Sequence, residues 1–123
     1  MNVNHVIQEM DRKYPGKAIF KNDENNPTEI LCEVKPATQH PEYSLAISVI
    51  DKSIPHQHKN TVEIYNVIKG KLSLHVGDKT VTLNEGDSYE IPLNTIHWAE
   101  GKETWVECAS KPGWTYNDHI FIK

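Results

Sequence analysis

From residue 43 onward the apolar residues recur at every second position in short runs, and a turn former stands between one run and the next. The runs are 43–50, 62–68, 71–76, 79–83, 87–91, 97–100 and 104–110. Pro55, Gly70, Gly77, Gly86, Pro92 and Gly101 separate them. Alternation places one set of side chains on each face of a strand, and a helical reading of 43–110 would put Gly or Pro in nearly every helix. Residues 30–35 add an earlier strand, parted from the next by Pro36 and Pro41, which cannot donate in a central ladder. Residues 119–123 offer a closing one. Eight or nine short strands joined by hairpin-type turns predict an all-β antiparallel barrel or jelly roll.

Ahead of the strands, Val3, Val6, Ile7, Met10 and Tyr14 lie at helical spacing, and Pro15 and Gly16 end the pattern. We expect a short amphipathic helix packed on the outside of the domain, with an arm crossing to a partner subunit as the alternative. A polar loop, expected to be mobile, follows over 21–29. A chain of 123 residues is the size of one domain. The expected division is helix and loop over 1–29, barrel over 30–110 and a C-terminal strap over 111–123. No apolar run approaches the ~18 residues of a membrane span. The N-terminal segment has no signal-peptide pattern, so the cytoplasm is the default location. A net charge of −4, with lysines scattered singly, argues against nucleic acid as a partner. Cys32 and Cys108, 76 positions apart, are expected to be buried thiols.

The chemistry concentrates in His56, His58, Glu63 and His97. On a strand His56 and His58 project to one face. Glu63 follows a bend at Lys59, Asn60 and Thr61, and His97 begins a later strand. Folded together, three imidazoles and one carboxylate suit one divalent transition metal, Mn, Fe, Ni, Co, Zn or Cu, and leave an octahedral ion roughly two open positions. His5, His40 and His75 are expected to be surface or hydrogen-bonded residues.

These residues resemble the two motifs of the cupins. The first motif, G-x5-H-x-H-x3-4-E-x6-G, matches from His56 through His58 and Glu63 to Gly70, with Ile50 in place of the first glycine. The second, G-x5-P-x-G-x2-H-x3-N, matches at Gly86, Pro92 and His97. Asn94 stands at its second glycine and Gly101 at its final asparagine. Asn is the non-glycine residue that most readily takes a left-handed turn. The 15 residues between the motifs are similar to the spacing in small single-domain bacterial cupins. The resemblance covers 43–109 and implies a double-stranded β-helix, the jelly-roll barrel of the family, with His56, His58, Glu63 and His97 as metal ligands.

Around that centre, Tyr65 shares the face of Glu63, and Tyr89 shares that of Ile91. Both are candidate catalytic phenols, and for each simple packing is at least as good a reading. Trp98 is expected to point away from the site, into inter-sheet or dimer packing. The tail from Pro112 to His119 resembles the ending of small cupins grouped with sugar-phosphate isomerases. It reads first as a strap anchored by Trp114, and second as a pocket edge with His119 as an acid or base. Three classes of function fit: a metal-dependent isomerase or epimerase acting on a small oxygenated molecule such as a sugar or sugar phosphate, an Fe(II) dioxygenase, and a non-catalytic small-molecule binding module. Ile64 and Ile68, pointing opposite to Glu63, make a homodimer the expected assembly.

Overall fold

A computed structural model describes residues 1–122. The helix α1 spans Val3–Lys13, with the Asn2 side chain accepting from the His5 N–H at its start. Its buried stripe, Val6 and Met10, packs on Ile30, Cys32, Ile47, Val49 and Trp105. Those five come from β2 (Glu29–Lys35), β3 (Ser44–Lys52) and β9 (His97–Lys111). The helix therefore roofs the outer face of a sheet whose inner face is left for the barrel.

Ten strands form among the described residues. Besides those three they are β1 (Ile19–Lys21), β4 (His56–Gln57), β5 (Val62–Lys69), β6 (Leu72–Val76), β7 (Lys79–Leu83), β8 (Ser88–Ile91) and β10 (Ile120–Phe121). Every pairing is antiparallel. β9 is the long common member: its C-terminal half lies between β3 and β5, and its N-terminal half pairs with β4 and β6. The runs 97–100 and 104–110, separate in the sequence reading, are thus one bent strand. Its pairing with β3 is interrupted between Glu100 and Thr104, and in that stretch a Cβ on Gly101 would run into Thr104 Oγ1 and meet the Ile50 carbonyl oxygen at 3.1 Å. Two further strands, β1 and β10, pair at the sheet edges with β2 and β4. The loop after β1 is tied to itself by Asn22, whose side chain bonds the Thr28 hydroxyl and the Thr28 and Glu29 N–H groups. Asn94 has φ +57°, the left-handed turn expected of it.

Register decides what faces inward. Glu29 lies across from Ile50, Leu31 from Ser48 and Glu33 from Ala46. Ala46 and Ser48 in turn face Cys108 and Val106 of β9, and those face Tyr65 and Val67 of β5. With side chains alternating along each strand, Glu29, Ser48, Cys108 and Tyr65 share the inner face, while Ile30, Val49 and Trp105 turn to the helix. The barrel core contains Val67, Leu72, Leu74, Leu83, Ile91, Ala99 and Val106. Tyr65 and Cys108 belong both to that core and to the lining of a cavity of about 610 Å³. The cavity begins where the apolar packing ends.

Candidate metal centre

Antiparallel pairing brings the ligands together. His56 on β4 lies directly across from His97 on β9. Glu63, on the first turn-side residues of β5, lies across from Ser110 and Ile91 on its two flanks. One donor atom from each of His56, His58, Glu63 and His97 lies within 4.8 Å of the others, and all four residues are buried. Glu63 Oε1 is 2.7 Å from His58 Nε2, 3.2 Å from His97 Nε2 and 3.9 Å from His56 Nε2.

The other nitrogen of each ring is engaged by backbone. Nδ1 of His56 donates to the Ile54 carbonyl (2.7 Å), that of His58 to the Asp118 carbonyl (3.0 Å) and that of His97 to the Thr95 carbonyl (2.9 Å). A proton held at Nδ1 leaves the Nε2 lone pair pointing inward, the tautomer a metal ligand needs. His58 Nε2 carries a further sign. Though close to Glu63 Oε1, it is not aligned to bond it, and it is buried without a hydrogen-bond partner. A buried polar atom so placed is costly unless something occupies the space it faces. The four residues fit a single metal ion. Burial pushes the Glu63 carboxyl up, but the three imidazoles, when they carry a proton at Nε2, outweigh it and hold Glu63 well below the usual carboxylate range; a metal ion would take the place of those protons.

The bend between His58 and Glu63 is fixed from the other end of the chain. The Asp118 carboxylate accepts from the N–H groups of Lys59 (3.0 Å), Asn60 (3.1 Å to each oxygen) and Thr61 (3.0 Å). Its own carbonyl orients His58. Burial raises the Asp118 carboxyl and these three N–H donors more than reverse the effect, so it lies below its ordinary value. Gly113 lies against the loop before β3, where a Cβ would meet the His40 carbonyl oxygen at 2.7 Å, and the Trp114 N–H bonds Ser44 Oγ at 2.8 Å. These contacts tie Gly113 and Trp114 to the segment at the start of β3. The tail also reaches the site: His119 stacks on His56 at 3.9 Å and 12°, and its Nδ1 accepts from Trp114 Nε1–H at 3.0 Å. Burial first, and then the neighbouring imidazoles, push His119 down to about 3, so its ring is neutral with the proton at Nε2.

The remaining sequence candidates divide. Tyr65 lines the cavity, is 4% exposed, and burial holds its phenol well above the ordinary value. Tyr89 is half-buried opposite Tyr65 and packs against the barrel core, away from the cavity lining. Trp98 lies on the outer surface, stacked on His75 at 3.9 Å beneath the Lys52 ammonium. His5 is exposed and His40 half-buried; neither joins the cluster. Cys32 and Cys108 are buried free thiols. Two residues escaped the sequence reading. Asp118 was visible only as half of an Asp-His pair. Glu29, placed in the polar loop, instead opens β2 and lines the cavity; the alternation of Glu29, Leu31 and Glu33 was its only signal.

Comparison with known proteins agrees with this architecture. A family model described as "Cupin domain" matches residues 47–105. A gentisate 1,2-dioxygenase of Haloferax sp is 34% identical over 84 residues, which are 63% of this chain and 23% of that protein. This chain thus spans about a quarter of that relative. Among solved structures, Pac13, described as a nucleoside dehydratase, superposes with a TM-score of 0.73 at 16% identity, covering 89% of this chain and 90% of the other. The Rhodospirillum rubrum protein Rru_A2000, a cupin-2 domain, gives 0.69 at 14% identity, covering 85% and 80%. With that family match over residues 47–105 and the ligands of both motifs gathered in one buried cluster on adjoining strands, the chain carries a cupin domain.

Proposed function

We propose that the protein is a metal-dependent enzyme acting on a small oxygenated molecule by proton transfer, as in isomerisation, epimerisation or dehydration of a sugar-like substrate. The observation that carries this reading is the four-ligand cluster, two of whose members, His56 and Glu63, line a cavity of about 610 Å³, a volume suited to a small molecule. A bound divalent ion supplies a Lewis acid that holds and polarises substrate oxygens. The chain itself does the positioning. Backbone carbonyls fix three imidazole tautomers, Asp118 holds the bend between His58 and Glu63, and the cavity walls limit water. Tyr65 stays protonated and serves as a hydrogen-bond donor; His119 offers the N–H of its Nε2 from the cavity edge. Tyr89, one strand away, supports Tyr65 by packing.

The test has two stages. Elemental analysis of protein purified without chelator is expected to find about one transition metal per chain. Solvent-deuterium exchange followed by proton NMR, across a sugar panel with manganese-, nickel- or zinc-loaded protein, is then expected to show exchange beside a carbonyl. Metal uptake without exchange on any member would count against proton-transfer chemistry. The likeness to a gentisate dioxygenase favours a second reading, an Fe(II) dioxygenase. Oxygen consumption by iron-loaded protein on an aromatic substrate would select it. Ligand-dependent thermal shifts with neither activity would leave a binding module. We infer a homodimer as the assembly, supported by exposed Ile68, Leu93 and Ile96; a monomer in sedimentation at micromolar concentration would remove it.

A further inference from the structure

Glu29 is a carboxylate in an unexpected place. It lines the same cavity as His56, Glu63 and Tyr65. One of its oxygens, Oε2, accepts from Ser48 Oγ at 2.7 Å. Oε1 has no hydrogen-bond partner among the described residues, and no Lys, Arg or His forms an ion pair with Glu29 there. It is not one of the four clustered donors. Burial raises its carboxyl, against smaller opposing contributions from Ser48 and His56. Glu29 is half-buried, a carboxylate at the cavity wall with one hydrogen bond, no counter-ion among the described residues and one oxygen left open. Such a group is a candidate for function when it sits in a cleft.

Its neighbours narrow what it receives. Leu31 and Ala46 line the wall beside it, and the mouth is set with Phe20, Ile54, Tyr116 and Phe121, each 42% or more exposed. Polar residues also line the cavity, Lys21 and Lys35 among them, and Lys21 is paired with Glu24; beside Glu29 itself, the apolar wall and the free carboxylate oxygen suit a molecule that presents a planar or CH-rich face and a proton donor. A carboxylate or phosphate brought up to Glu29 would meet a like charge in a partly desolvated space.

We propose that Glu29, held by Ser48, is the acceptor for a substrate hydroxyl beside the metal centre, so that the site takes an uncharged polyhydroxylated or phenolic molecule and disfavours one with an anionic group at that position. This rests on the metal-dependent reading above and assigns it a substrate class. Glu29 is a binding residue here, and the inference stands on its place in the cavity, its anchored oxygen and its free one.

Two probes test it on zinc-loaded protein at neutral pH, both followed by calorimetry: catechol, an uncharged hydroxyl donor in solution, and oxalate, an anion of similar reach. Glu29→Gln is expected to weaken catechol roughly tenfold, the loss of one charge-assisted hydrogen bond, and to leave oxalate unchanged or tighter. Ser48→Ala, which keeps the carboxylate and removes its anchor, is expected to act in the same direction to a smaller extent. It also serves if the first variant folds poorly. Equal changes for both probes, or no change for catechol with zinc content intact, would overturn the assignment. Failure of the wild-type protein to take up zinc or any other divalent metal would overturn the underlying reading, and is seen before either probe is added.

Discussion

Removing the Asp118 carboxylate isolates the part of the site that the chain builds from a distance. In Asp118→Ala the N–H groups of Lys59, Asn60 and Thr61 lose their acceptor, while the backbone carbonyl that holds His58 remains. Hydrogen bonds to a charged group contribute about 1.5–3 kcal/mol each, but the three are not additive. Lys59 and Asn60 are exposed, so water replaces their partner; Thr61 is 3% exposed and carries the desolvation cost. We expect a net loss of about 2–4 kcal/mol, or roughly 8–16 °C in Tm for a domain of this size. Loosening the bend should also weaken metal binding by roughly 10–100-fold, as loss of an outer-shell support does elsewhere. Because the folded carboxyl lies below its ordinary value, its contribution is present at neutral pH and lost as pH falls through that lowered value. The gap in stability between wild type and variant should therefore begin to close as pH falls below about 4 and keep closing down through the lowered value. Urea denaturation at pH 7 and pH 3.5, with chelator competition for the metal at pH 7, measures all three effects. A variant with stability within about 0.5 kcal/mol of wild type and unchanged metal affinity would refute the clamp.

Other consequences are as direct. Adding zinc at about 100 times its dissociation constant should stabilise the protein by about 2.7 kcal/mol, and His97→Ala should abolish most of that gain; an equal Tm rise in the variant would exclude His97 as a ligand. Trp114→Phe removes the donor to His119 Nδ1. Long-range nitrogen–proton NMR should show His119 as the Nε2–H tautomer in wild type and a mixture in the variant, and an Nδ1–H form in wild type would contradict the geometry. Gly101→Ala forces a Cβ against Thr104 and the Ile50 carbonyl. It should cost about 1–3 kcal/mol by denaturant unfolding, and a neutral result would mean that the bend of β9 yields more easily than its contacts imply.

Sequence alone determined the parts of this protein that depend on local periodicity. Alternation places His56 and His58 on one face, turn formers mark the ends of β5 to β8, and Asn94 adopts the left-handed turn that its place in the motif requires. These follow from backbone geometry over two to five residues. The four ligands were readable because both motifs keep fixed spacing along short strands. The tertiary structure decided the supports. Asp118 reaches a bend 57–59 residues away, Trp114 fixes a ring that stacks on His56, and Glu29 faces the cavity only because β2 pairs with β3 in one register. A register shifted by one residue would turn Glu29 to the helix side and Ile30 inward. No spacing rule within either segment fixes such a choice; it is set by packing α1 on one face of the sheet and leaving the other to the cavity.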